Sequence, residues 1–98
     1  MKASQLLRKT NVQQCQGANQ CDTGKYCAMG AIMHELGWKG KFTKTGRLRK
    51  VEPDNMPFMK KMLDGLGLRN LFGEILKWND EEKLSFEEIA ERLEEQGL

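Results

Sequence analysis

The sequence predicts a mostly α-helical fold: a small bundle of four to five helices, with a short β-hairpin near residues 12–27. Apolar residues recur at helical spacing in several stretches, capping residues precede them, and glycines follow their ends. The chain has 98 residues, 39% of them hydrophobic, which is enough for one core. We therefore expect a single domain over 1–98.

The N-terminal part of the chain predicts a short helix and then the hairpin. Ser4 can cap a helix that runs to about Asn11, with Leu6 and Leu7 buried. Residues 12–27 are consistent with two very short strands around a polar, glycine-containing loop.

The next segment predicts the central helix of the fold. Residues Cys27–Leu36 are apolar on nearly every side, and Gly37 can adopt the left-handed conformation that ends a helix. A basic loop or hairpin over 38–52, turning at Thr45-Gly46, is expected to follow. The six methionines are interpreted as core-filling residues and not as the lining of a ligand groove.

Three more helices are predicted in the C-terminal half. The first, capped by Asp54, is stopped by Gly65 and Gly67, and the second, capped by Asn70, covers residues 71–78.

The last helix has the clearest signals. Ser85 is the predicted N-cap, Glu88 completes a capping box, and Gly97 ends the helix. Its apolar residues follow the spacing of one helix face: Phe86, Ile89, Ala90 and Leu93.

Composition predicts a cytoplasmic protein with an uneven charge distribution. No stretch approaches the roughly 20 apolar residues of a membrane span, and the N-terminus has no apolar run for a secretory signal. Three cysteines cannot all pair within one chain, so reduced thiols are expected. Residues 1–50 hold ten Lys or Arg against two Asp or Glu, and residues 51–98 hold six against twelve. This distribution predicts mutual attraction of the two halves, head-to-tail self-association, or a basic face for an acidic partner.

The cysteines and the single histidine have the residue types of a Cys3His zinc site or a cysteine hydrolase, but their spacing argues against both. On one helix, Cys27 and His34 are about 10 Å apart along the axis, whereas two ligands of one zinc ion lie within about 4 Å of each other. The same separation puts His34 out of reach as a base for a Cys27 nucleophile. We expect no metal and no cofactor. With Cys21 in an exposed loop, we expect it to be the most reactive thiol, Cys27 the most protected, and Cys15 intermediate.

The basic segment is a candidate nucleic-acid interface. Its cations could contact phosphates while aromatic residues, including Trp38, stack on the bases of a single strand. A solvated loop would have the same composition. The candidate residues are Lys39, Lys41, Phe42, Lys44, Arg47, Arg49 and Lys50.

Three short motifs together resemble a family of small proteins from bacteria and their phages. The motifs are Cys15-Gln16-Gly17, Tyr26-Cys27-Ala28-Met29-Gly30-Ala31, and Trp78-Asn79-Asp80 before the final helix. The family has no assigned activity, so the resemblance implies a fold and a set of candidate binding residues: Gln16, Cys27, Trp78, Asn79 and Asp80.

Structural roles for these residues are the alternative. Asn79 and Asp80 can bond nearby backbone amides and fix a turn, and a free cysteine such as Cys27 is often a small core residue. Gln16 and Asp80 have no evident packing role.

Two main function classes remain open at this point. The leading hypothesis is a cytoplasmic, phage-derived accessory protein that is not an enzyme and acts through a protein partner. The alternative is a small nucleic-acid-binding module that uses residues 38–50. A hydrolase with Cys27 as nucleophile is a second alternative. No membrane partner is expected, and the sequence predicts no particular oligomeric state.

Overall fold

The computed structural model describes the backbone of residues 1–16, 20–21, 24–38, 48–49 and 56–98. This part of the chain is mostly helical, which confirms the predicted fold class. In chain order, its elements are α1 (Ala3–Lys9), β1 (Gln20–Cys21), α2 (Ala28–Glu35), β2 (Leu48–Arg49), α3 (Met56–Leu66), a 3-10 turn (Arg69–Leu71), α4 (Phe72–Asp80) and α5 (Phe86–Glu95).

The central helix of the bundle is α2, as predicted. Every residue from Ala28 to Met33 is buried, because the apolar residues surround the helix instead of forming one stripe. It packs against α1 and α4, and both of these helices also pack against α5. The largest fully buried apolar side chains come from α2, α4, α5 and the turn after α3: Met29, Ile32, Met33, Leu68, Ile75, Ile89 and Leu93.

Helix α1 is shorter than predicted and has a different cap. Ser4 lies inside the first turn, where it is buried and its hydroxyl donates to the Leu98 carbonyl over 3.0 Å. The prediction that Ser4 caps α1 is therefore wrong, because a contact with the far end of the chain takes its side chain. The Gln5 side chain instead accepts the Lys2 N–H at 2.8 Å. The predicted buried pair is confirmed: Leu6 and Leu7.

The described residues within 12–27 do not pair with one another as the predicted hairpin requires. Gln14 and Tyr26 form an isolated parallel bridge, in which the Cys15 N–H donates to the Tyr26 carbonyl and the Tyr26 N–H donates to the Gln13 carbonyl, each at 2.8 Å. Strand β1 pairs antiparallel with β2. Strands of one or two residues carry no alternating apolar pattern, so the sequence specified their pairing only weakly. Apart from Trp38 and β2, the predicted basic segment lies outside the described residues, as does Asp54.

Glycines end α2 and α3 at the expected places. Gly37 has φ +101° and Gly67 has φ +70°, a region that residues with a Cβ rarely adopt. Gly65 was predicted to help stop α3, but it lies within the helix. Asn70 does not cap the next helix, because it lies in the 3-10 turn. Helix α4 begins at Phe72 without a side-chain cap and continues to Asp80.

The last helix confirms its predicted start. The Ser85 hydroxyl accepts the Glu88 N–H and the Glu88 carboxylate accepts the Ser85 N–H, each at 3.1 Å. Arg8 on α1 forms ion pairs with Glu87 and Glu94 on α5. The basic first half and the acidic second half of the chain therefore attract each other at this helix pair, which is one of the three interpretations that the charge distribution left open.

Candidate functional site

The three sequence motifs converge near the N-terminus of α2. Gln14 and Cys15 lie beside Tyr26 through the parallel bridge, and Cys27 follows as the N-cap of α2. The end of α4 brings Asn79 to the same place. The motifs are thus neighbours in space, although 64 positions separate the hydrogen-bonded residues Cys15 and Asn79.

Asn79 is fully buried and joins three separate segments. Its Oδ1 accepts the Ala28 N–H at 2.9 Å and the Gln14 side-chain amide at 2.7 Å. Its Nδ2 donates to the Cys15 carbonyl at 2.9 Å and to the Asp80 carboxylate at 2.8 Å. Ala28 is the first residue of α2, so a side chain on α4 satisfies one of the free N–H groups at the start of another helix. The prediction of a local turn contact missed this long-range role.

Cys27 is a buried cap residue with a protonated thiol. Its side chain is 1% exposed, and its sulfur accepts the Gly30 N–H at 3.3 Å. Burial raises the pKa of this thiol from 9.0 to about 11, and the nearby Asp80 carboxylate adds to the rise. Since the thiolate is the nucleophilic form, Cys27 is inert near neutral pH. His34, near the other end of α2, is exposed and stacks on Tyr26 with 4.9 Å between ring centroids.

The remaining predicted binding residues differ in exposure. Trp78 is buried at the edge of the core, and the Arg92 guanidinium lies over its ring, 5.4 Å from the centroid. Asp80 is partly buried and Gln16 is exposed. Of the five residues in the predicted set, Gln16 and Asp80 are thus the two that a ligand could reach without rearrangement of the core.

The cysteines correct one expectation from the sequence. Cys15 takes part in a disulfide bond, so neither a reduced Cys15 nor its intermediate thiol reactivity is found. Cys27 forms no disulfide bond and is buried, as expected for the most protected thiol. The side chain of Cys21 lies outside the described residues. Within the described part of the chain, no group of three or more His, Cys, Asp or Glu side chains could hold a metal ion.

The candidate nucleic-acid residues are not described, apart from the backbone of Arg49 in β2. Their role stays a prediction. Trp38, which was expected to add a stacking surface, is instead 4% exposed. It packs edge-on against Tyr26 with 6.5 Å between ring centroids, and its buried indole N–H has no hydrogen-bond partner among the described residues. The face of this indole is therefore not available to a base.

An apolar groove lies where the end of α2 meets α3. It has a volume of about 500 Å³. Two of its residues, Met1 at 72% and Leu36 at 42%, are the exposed large hydrophobic residues of the described chain. The described residues that line the groove are Met1, Leu36, Phe58, Lys61, Met62, Gly65 and Leu66.

Sequence reasoning missed this groove. Phe58, Met62 and Leu66 are four residues apart, which places them in one stripe along α3. Met62 is buried, whereas Phe58 and Leu66 are only partly covered. The sequence did contain a signal for the groove, because the apolar residues of α3 cover more of the helix surface than one buried face requires. The methionines were interpreted as filler, but Met1 and Met62 both line the groove.

Comparisons with known proteins do not assign the chain to a family. No protein-family model matches it, and neither characterised proteins nor solved structures give a match. The motif-based resemblance to small bacterial and phage proteins therefore stays a prediction. None of the described helices is long and apolar enough to cross a lipid bilayer.

Proposed function

We propose that this protein is a cytoplasmic accessory protein, of phage origin and without enzymatic activity, that acts by binding another protein. We propose further that the contact surface is the groove lined by α3 and Leu36. The supporting observation is that the two exposed large hydrophobic residues of the described chain, Met1 and Leu36, lie in the same groove. A contiguous exposed apolar surface is typical of interaction sites.

The burial and the raised pKa of the Cys27 thiol count against a cysteine hydrolase. A catalytic cysteine needs an accessible thiol with a lowered pKa. Cys27 is buried, its pKa is raised to about 11, and its sulfur already accepts a backbone N–H. Burial of Trp38 similarly removes one of the aromatic surfaces on which the nucleic-acid alternative depended.

Site-specific photo-crosslinking in the native host tests the proposal. A photoreactive amino acid in place of Leu36 should give one discrete protein adduct, while the same amino acid in place of exposed Glu91 on α5 should not. The cross-linked protein is then purified and titrated against the chain. Leu36→Ser should weaken binding by roughly tenfold or more, since a central apolar contact is lost. Glu91→Ala should leave the dissociation constant unchanged.

Two results would count against the groove as the contact surface. One is an adduct pattern that is the same from positions 36 and 91. The other is a purified partner whose affinity does not change with Leu36→Ser, provided that both variants keep the melting temperature of the parent chain.

A further inference from the structure

The shape of the groove suits a helix. The stripe formed by Phe58, Met62 and Leu66 extends about 12 Å along the axis of α3, since each residue of a helix rises about 1.5 Å. Leu36 lies at the end of α2 and Met1 lies ahead of α1, and both add apolar surface to the lining. Apolar valleys that run along a helix are typical binding sites for the apolar face of an amphipathic helix.

The charges around the groove are unbalanced. Lys61 is part of the lining and is exposed. No ion pair in the described part of the chain involves Lys61.

The acidic residues of the same elements are already paired. Asp64 on α3 accepts two hydrogen bonds from Arg69, at 2.7 and 3.0 Å, and this guanidinium lowers the pKa of the Asp64 carboxyl. Glu35 on α2 accepts the Thr10 hydroxyl at 3.0 Å and lies 3.7 Å from the Lys9 ammonium. The groove therefore presents unneutralised positive charge next to apolar surface.

We infer that the partner segment is an amphipathic helix with an apolar face flanked by Asp and Glu residues, donated by a different protein. This inference rests on the proposed function, because it specifies what the groove of that proposal binds. The apolar face fills the stripe on α3, and an acidic flank faces Lys61. Opposite charges at the rim increase the association rate and exclude basic competitors.

A second copy of this chain does not supply such a helix. Its own acidic amphipathic helix is α5, but the apolar face of α5 is committed to the core, with Ile89, Ala90 and Leu93 fully buried. Donation of α5 to another copy would uncover these residues.

Binding of synthetic peptides to the full chain tests the inference. The probe is a helical peptide of about 15 residues with leucines on one face and glutamates elsewhere. The matched control has the same leucines and lysines in place of the glutamates. We expect the acidic peptide to bind at least roughly tenfold more tightly at low salt, with the difference shrinking in high salt because exposed charges are screened. Lys61→Glu should weaken binding of the acidic peptide by roughly three- to tenfold, while Lys77→Glu, at an exposed position on α4, should have no effect.

The outcomes separate this inference from the proposed function. If both peptides bind equally and Leu36→Ser weakens both, the groove binds helices and the acidic specificity is wrong. If neither peptide binds, the helix inference is overturned, and the cross-linking experiment decides separately whether the groove contacts another protein. Phosphatidylserine vesicles provide the last comparison. Vesicle binding that depends on Lys61, without binding of the acidic peptide, would overturn the inference in favour of a membrane surface.

Discussion

Replacement of Asn79 by alanine should destabilise the fold more than any exposed substitution. The change removes both acceptors and donors from a fully buried position. It leaves the Ala28 N–H and the Cys15 carbonyl without the bonds they now make to Asn79. A buried polar group that loses its partner costs about 1–3 kcal/mol, so two such groups cost about 2–6 kcal/mol. Gln14 loses less, since its amide keeps a 2.7 Å bond to the Leu84 carbonyl.

Urea titration followed by circular dichroism measures this cost. A chain of this length typically has an unfolding free energy of about 5–15 kcal/mol, so Asn79→Ala should shift the midpoint strongly or unfold the chain. The matched control is Asn70→Ala, at an exposed position in the 3-10 turn, which should change stability by less than about 0.5 kcal/mol. If the two substitutions have similarly small effects, then Asn79 does not join the segments as described and the assignment of its bonds is wrong.

Three further predictions concern the docking of α5, the pH dependence of stability and the reactivity of the buried thiol. Removing the cap of α5 with Ser85→Ala should cost about 1 kcal/mol, and Leu93→Ala at a fully buried position should cost about 2–5 kcal/mol; if both are neutral in urea titrations, α5 is not docked on the core. Burial raises the pKa of the Cys27 thiol from 9.0 to about 11, so the unfolded chain releases this proton at a lower pH than the folded chain does. The contribution of the protonated thiol to the free energy of unfolding is therefore present below pH 9 and is lost as the pH rises to 11. The loss is on the order of 2–3 kcal/mol, and the pH-dependent difference between the parent chain and Cys27→Ala in urea titrations isolates it. Alkylation of Cys27 should require unfolding, and rapid labelling at pH 6, read by mass spectrometry, would contradict its burial.

Sequence reasoning succeeded where the determining contacts are local. The capping box of Ser85 and Glu88 joins residues three positions apart, and its signature was visible in the sequence. The central position of α2 also followed from composition, because a helix with apolar residues on all sides can only be buried.

The same reasoning failed where the partner is distant in the chain. Ser4 and Asn79 were both given local roles, as a helix cap and as a turn residue. Ser4 donates to a partner 94 positions away, and Asn79 accepts the N–H of Ala28, 51 positions away. The groove escaped prediction for a related reason. Whether Phe58 and Leu66 are covered depends on how α1, α2 and α3 are arranged, and periodicity along one helix does not contain that information.

The pairing of α1 with α5 determines the order in which this fold can be completed. The first helix of the chain buries Leu6 and Leu7 in a bundle that includes the last helix, and the Ser4 hydroxyl bonds to Leu98. During synthesis, α1 leaves the ribosome long before α5 is synthesised. Until then, its leucines are exposed to solvent or make transient contacts with other parts of the chain. Closing so long a loop costs chain entropy before any contact repays it. We therefore expect this small helical protein to fold more slowly than bundles whose neighbouring helices are adjacent in sequence.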